Sequence, residues 1–139
     1  MKKRVVLCTS VLLFVCAIVG FAAPVDDSAY PDMMKKAVAA NRALQMSIMM
    51  ADWPSVATNA TAVQGDFKDI EAFWKARGGA DDAVMFAANI ETAAKATHDA
   101  AAAGKADDAT AAAKGIQANC GGCHMAHRTK NDAGAYVIK

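Results

Sequence analysis

The 139-residue sequence is poor in the residue types that build β-sheets. Beyond residue 22, β-branched residues are sparse, and the whole chain has only two tyrosines and two tryptophans. No stretch of useful length alternates apolar and polar residues, as a half-buried strand does. Alanine, which has the highest helix propensity, is abundant instead. The sequence therefore predicts an all-α protein.

Patterns typical of hydrolytic enzymes and of nucleic-acid-binding proteins are also missing. No pair of carboxylates and no serine–histidine arrangement indicates hydrolytic chemistry, so we expect a protein that is not an enzyme. The formal net charge of +1 at pH 7 leaves no basic footprint for nucleic acid.

The first 22 residues are typical of a secretory signal peptide. A basic Met-Lys-Lys-Arg start precedes an apolar run over residues 5–19, and small residues follow it. Gly20 and Ala22 suit the −3 and −1 positions of a cleavage site, so we expect cleavage after Ala22 and export to the periplasm. The alternative is an uncleaved anchor, because nearly twenty apolar residues can span a bilayer.

Cleavage would leave a single domain over residues 23–139, a length that suits one core. Cys8 and Cys16 would leave with the leader, so the mature chain would keep two cysteines, Cys120 and Cys123. The leader also carries three basic residues and no acid, so its loss takes the formal charge from +1 to −2.

Prolines, glycines and acids divide the domain into four helical segments. They run from about Pro31 to Ala51, from Pro54 to Gly78, from Asp81 to Gly104, and from Asp107 to Arg128. Acids stand at the starts and glycines after the ends, as helix polarity and capping favour. Four such helices joined by short turns predict an up-down-up-down antiparallel four-helix bundle.

The inward faces of these helices are dominated by small side chains. The second helix has a stripe of Val56, Ala60, Val63, Phe67, Ile70 and Trp74, and the third has Ala83, Phe86, Ile90, Ala94, Thr97 and Ala101. So much alanine leaves a thin core. Either a large apolar cofactor fills it or two molecules share surfaces, which keeps a homodimer open.

Cys120-Gly121-Gly122-Cys123-His124 has the spacing of c-type haem attachment. Two thiols three positions apart on a helical turn can reach two vinyl groups of one porphyrin, and the imidazole that follows can bind its iron. A zinc site would need four ligands, and no second cysteine pair exists. A thioredoxin-like pair needs a βαβ setting, and a disulfide within a helix would be strained. We therefore predict one covalently bound haem c.

The motif continues as Cys-Gly-Gly-Cys-His-Met-Ala-His-Arg at the end of the predicted fourth helix. This resembles the class II cytochromes c, the cytochrome c prime family, which are four-helix bundles. In that family a C-terminal Cys-X-X-Cys-His is followed four positions later by a basic residue, here Arg128. We expect Arg128 to contact a haem propionate or His124, or to remain a solvated helix-end cation. His127 stands where the family usually has an aromatic residue.

The residue opposite His124 is expected in the first helix. Helices one and four of an up-down bundle are antiparallel, so the counterpart of His124 should lie a few residues into helix one, where Met33 and Met34 stand. The resemblance implies a distal residue from the first helix, and Met34 with the lysine after it is similar to the family's distal Met-Lys pair. Aligning Arg42 instead would nominate Met46, which lies about 18 Å further along the helix and fits antiparallel geometry poorly.

The other methionines are expected to have a structural role only. Met46, Met49, Met50 and Met85 are predicted to fill the core, since methionine at helical spacing is usually flexible packing material. His98, late in the third helix, is predicted to lie in solvent at the end of the bundle away from the haem.

His127, Phe73 and Trp74 each have two expected locations, one of them beside the haem. His127 is predicted at a haem edge or in solvent. Phe73 and Trp74, which close the second helix, are predicted in the core, with packing on the porphyrin as the alternative.

The sixth iron ligand decides the predicted function. Thioether ligation by Met34 on a His-bound haem would stabilise reduced iron and favour electron transfer with redox partner proteins. If Met34 only packs over the iron, a five-coordinate haem would bind nitric oxide or carbon monoxide. A haem subunit or sensor of a larger redox assembly is a third interpretation.

Overall fold

Four long helices dominate the protein. The computed structural model describes residues 26–139, so the predicted signal peptide and its cleavage site lie outside the described residues. After a 3-10 turn at Asp27–Ala29, the helices are α1 (Tyr30–Met49), α2 (Trp53–Arg77), α3 (Asp81–Ala102) and α4 (Ala106–His127). Two short strands, β1 (Arg128–Lys130) and β2 (Tyr136–Ile138), form an antiparallel hairpin after α4. The predicted all-α fold with four helices is confirmed.

Neighbouring helices along the chain are antiparallel neighbours in space. Trp74, late in α2, contacts Tyr30 at the start of α1, and Asn119, late in α4, contacts Asn89 in the first half of α3. The α2–α3 and α3–α4 interfaces are extensive, and α1 packs mainly on α2. Between α1 and α4 the backbones barely approach each other.

Helix boundaries follow from capping chemistry. The Asp52 side chain accepts a hydrogen bond of 3.2 Å from the Ser55 N–H at the start of α2. Gly78 ends α2 with φ +73°, a left-handed conformation that glycine adopts without a steric penalty. In the α1–α2 turn the same region is occupied by an alanine, Ala51, with φ +55°.

The predicted stripes of α2 and α3 form the core. All six predicted α2 residues are buried, and so are five of the six from α3. The exception is Phe86, which is half-buried. Phe73 and Trp74 are also buried, which confirms their core assignment.

The prediction that four methionines fill the core is wrong. Met46, Met49, Met50 and Met85 are 55%, 80%, 70% and 52% exposed. The buried face of α1 is formed by Ala37, Leu44 and Ser47. Met46 and Met49 lie on the opposite side of that helix because each residue turns it by about 100°.

The prediction that His98 is solvated is also wrong. Its ring is half-buried, and Nδ1 lies 3.1 Å from both the Thr61 hydroxyl and the Ala57 carbonyl oxygen. Small side chains let α2 and α3 approach closely enough for these groups to meet. His98 thus links the two helices at the end of the bundle away from the cysteine motif.

The C-terminal tail packs back on the bundle as an antiparallel hairpin. Helix α4 ends at His127, one residue earlier than predicted, because Arg128 adopts an extended conformation (φ −115°, ψ 132°). The backbone N–H of Lys139 donates to the His127 carbonyl at 2.9 Å, and Ile138 packs against the core. Within residues 26–139, no helix combines the length and the apolar character needed to cross a membrane.

Candidate functional site

One end of the bundle contains an apolar cavity that all four helices line. Its volume is about 10 Å³, room for about one water molecule. The lining residues are Tyr30 and Met34 from α1, Phe67 and Ile70 from α2, Ala83, Phe86, Ala87 and Ile90 from α3, and Cys120, Cys123 and His124 from α4. The structure therefore brings Met34 to the same cavity as the cysteine motif. Met33 packs against the core without lining the cavity, and Met46 is exposed.

Helix α4 places the three motif residues on one face. Cys123 and His124 lie three and four positions after Cys120, the spacings at which side chains of a helix are neighbours. All three are half-buried, and the two thiols are free rather than joined in a disulfide. The motif thus presents two thiols and one imidazole to a single apolar space.

Both thiols are protonated at neutral pH. Burial raises the pKa of Cys120, and burial together with Cys120 and Asp82 raises the pKa of Cys123 to about 11. Redox-active cysteine pairs have depressed pKa values instead, because the thiolate is the reactive form. The environment of this pair therefore disagrees with a thioredoxin-like function.

His124 is held in the form that binds metals. Burial lowers the pKa of its imidazole, and the positive charge of Arg128 lowers it further. A neutral imidazole has a free nitrogen lone pair, which is what ligation requires.

The second glycine of the motif lies under an aromatic ring. A Cβ atom built on Gly122 would lie only 2.7 Å from Cε1 of Phe86, whereas one built on Gly121 would meet nothing within 4 Å. Gly122 therefore lets the Phe86 ring rest against α4 while it lines the cavity. Sequence reasoning placed Phe86 in the core stripe but did not connect it with the motif.

Tyr30 adds a polar group to the cavity wall that was not predicted. Its hydroxyl accepts a hydrogen bond of 3.2 Å from Nε1 of the buried Trp74. The Tyr30 ring also packs on Phe73, with ring centroids 4.8 Å apart. Burial raises the pKa of the Tyr30 phenol to about 12, so it stays neutral. The signal in the sequence was its spacing, since Tyr30 stands four residues before Met34.

Arg128 lies outside the cavity. Its side chain is exposed, and the guanidinium carbon stands 4.1 Å from the centre of the Tyr136 ring in the hairpin. Because the chain leaves the helix at this residue, Arg128 points along the tail rather than along α4. The positive charge of Arg128 nevertheless lowers the pKa of the His124 imidazole.

His127 connects the end of α4 to α2 and α3. Its Nε2 atom lies 2.9 Å from Oδ1 of Asp82, an ion-pair distance without the alignment of a hydrogen bond. This contact lowers the pKa of the Asp82 carboxyl. The His127 ring centre is 5.2 Å from that of Trp74. The side chain is therefore half-buried between two helices, and not in open solvent.

The types of donor, though not the size of the cavity, fit a haem better than a bare metal ion. In the described part of the chain, no three histidine, cysteine or acidic side chains converge as an ion site. A structural zinc ion would need four such ligands. Two adjacent thiols, a neutral imidazole and an apolar wall are instead the groups that an attached porphyrin requires.

Comparison with known proteins adds no relative. No protein-family model matches the chain, and no curated protein or solved structure matches it either. The resemblance to class II cytochromes c therefore stays a prediction from the motif and its place near the C-terminus.

Proposed function

We propose that this protein is an exported monohaem c-type cytochrome that carries electrons and is not an enzyme. The observation that supports the proposal best is the shared cavity. Cys120, Cys123 and His124 from α4 line it together with Met34 from α1, at the end of the bundle where an antiparallel arrangement predicts their meeting.

Each of these residues would have a separate role. Cys120 and Cys123 would hold the haem through thioether bonds, and His124 and Met34 would bind its iron. A haem bound in this way supplies an iron that cycles between Fe(II) and Fe(III). Ile70, Ile90 and the other hydrocarbon side chains of the wall would exclude water, and an apolar shell of this kind tunes a redox potential.

Covalent attachment is tested with a double cysteine variant. The protein is produced with a c-type maturation system and then denatured, so that only covalently bound haem stays with the chain. We expect one haem per chain in the wild type and none in Cys120→Ala/Cys123→Ala. Gly121→Ala is the control, since an added methyl there meets nothing, and it should keep the haem. Wild-type protein without covalent haem would refute the proposal.

The ligand role of Met34 is tested by spectroscopy. We expect the ferric wild type to be low-spin and Met34→Ala to be high-spin, because loss of the thioether opens the sixth position. Met33→Ala is the matched control, since Met33 is the half-buried neighbour that does not line the cavity. A high-spin wild type that binds carbon monoxide rapidly would contradict electron transfer and support gas binding.

Export is tested by the N-terminus of the purified protein. We expect the chain from the periplasmic fraction to begin at Ala23. A chain that keeps residues 1–22 and stays with the membrane fraction would support the uncleaved anchor instead.

A further inference from the structure

The exposed methionines at the end of α1 form a second group of ligating atoms. Met46, Met49 and Met50 are 55%, 80% and 70% exposed. The Met50 N–H donates to the Met46 carbonyl at 3.0 Å, so helical geometry continues through Met50. Residues three and four positions apart on a helix are neighbours, with Cβ atoms about 5–6 Å apart. Met46 therefore neighbours both Met49 and Met50, and the flexibility of all three side chains gives their sulfur atoms the reach to bind one ion.

The C-terminal end of α1 would also favour a bound positive charge. A helix carries partial negative charge at its C-terminus, where basic side chains usually compensate it. The last turn of α1 has no basic residue and presents the three methionines instead. The nearby carboxylate of Asp52 already accepts the Ser55 N–H, so it is engaged as a cap of α2.

We propose that Met46, Met49 and Met50 bind one soft monovalent cation, Cu(I), through their thioether sulfurs. Thioethers select Cu(I), whereas Mg²⁺ and Ca²⁺ take oxygen ligands and Zn²⁺ takes thiolate, imidazole or carboxylate. Three sulfurs give the cation a trigonal ligand set. Binding involves no change in oxidation state, because the ion arrives and stays as Cu(I).

This site is independent of the cavity. Met50 follows Met34 by sixteen residues of helix, which separates their backbones by about 24 Å. The two lie towards opposite ends of α1. A failure of the haem hypothesis would therefore leave the cation site unaffected, and the reverse also holds.

The experiment uses purified protein with any free thiols capped by N-ethylmaleimide, because uncapped cysteines would bind the same ions. Ag(I) serves as an air-stable probe in native mass spectrometry, and Cu(I) is titrated anaerobically against a chromogenic chelator. We expect one ion per chain. Loss of a residue that only supports a metal ligand typically weakens metal binding at least about tenfold. Loss of a ligand itself should cost no less, so we expect each single Met→Leu change to weaken binding at least about tenfold.

Leucine variants keep the helix and remove only the sulfur, since leucine and methionine have similar helix propensity and size. The triple variant Met46→Leu/Met49→Leu/Met50→Leu should bind no ion. Met85→Leu and Met125→Leu are matched controls, because these methionines are 52% and 78% exposed elsewhere and should bind like the wild type.

Two results would overturn the proposal. One is unchanged Ag(I) binding in the triple variant, and the other is an equal loss in the two control variants. Methyl NMR of the wild type gives a second measurement that needs no substitution. Ag(I) should shift the methyl signals of Met46, Met49 and Met50 and leave that of Met85 in place, and the opposite pattern would refute the site.

Discussion

Gly122 controls how closely α3 and α4 approach at the cysteine motif. An alanine methyl there would overlap the Phe86 ring edge, so we expect Gly122→Ala to push the ring aside and cost about 1–3 kcal/mol of unfolding free energy. Gly121→Ala should instead add about 1 kcal/mol, because its methyl meets nothing and alanine favours helix. Urea unfolding of both variants measures the difference. Equal effects at the two positions would contradict the close approach.

Tyr30 satisfies a buried donor at the cavity wall. In Tyr30→Phe the indole N–H of Trp74, a residue only 1% exposed, would lose its acceptor. An unpaired buried donor costs about 1–3 kcal/mol, so the urea midpoint should fall by a corresponding amount with the slope unchanged. Tyr136→Phe is the control, since this tyrosine is 55% exposed and its ring contact with Arg128 does not need the hydroxyl.

At the scale of elements, the helices were predictable and the hairpin was not. Helix limits follow from local signals, such as Asp52 before α2 and Gly78 after it, which act within a few residues. The hairpin strands have three residues each, too few to show alternation. Their pairing also depends on where α4 ends. Arg128 was therefore predicted as the last residue of α4, whereas it is the extended residue that directly follows the helix.

The tail is joined to the bundle by apolar packing of β2 as well as by the hydrogen bonds of Lys139 to the end of α4. Ile138 is the half-buried residue of β2 that packs against the core. Ile138→Ala should cost about 1–2 kcal/mol, less than the 2–5 kcal/mol typical of a fully buried isoleucine. Val137→Ala, at an exposed position of the same strand, should change stability by less than about 0.5 kcal/mol. Thermal unfolding of the two variants makes the comparison, and a larger effect at Val137 would mean that the tail packs differently.

The side-chain environments were predicted unevenly. The α2 stripe was correct at every position because large apolar residues recur with helical period. The methionines of α1 were misassigned because their apolar character does not show which face of the helix is buried, and the buried face is formed by Ala37, Leu44 and Ser47. Tyr30 and Phe86 were not connected with the motif because their contacts cross between helices. The placement of Met34 and His124 at one end of the bundle was predicted from the sequence, because short turns between helices imply antiparallel packing.

At the scale of the whole molecule, one carboxyl pair makes stability depend on pH. Glu91 on α3 and Glu71 on α2 meet at the helix interface, and one oxygen of Glu91 is buried without a hydrogen-bond partner. Burial raises the pKa of Glu91, and the neighbouring Glu71 raises it further. Contact with Lys75 and with Glu91 lowers the pKa of Glu71. The pair therefore favours a state in which Glu91 holds a proton.

The raised pKa of Glu91 determines the direction in which stability changes with pH. Its contribution to stability is fully present below its ordinary pKa of 4.5 and is lost as pH rises through the higher folded value. We expect Glu91→Gln to be more stable than the wild type at pH 7 and to match it near pH 4. Urea titrations at the two pH values test this. Asp69→Asn, at an exposed α2 carboxylate, is the matched control.

The sparse contact between α1 and α4 has a consequence for assembly. Helices α2, α3 and α4 form a continuous three-helix unit, while α1 joins it along α2 and through the turn that contains Ala51. Sub-global opening of α1 would break its packing on α2 and leave the α2–α3 and α3–α4 interfaces intact. The motif face of α4 would then be accessible to a large planar ligand and to the machinery that attaches it. Closure of α1 would come last and would bring Met34 over the occupied space.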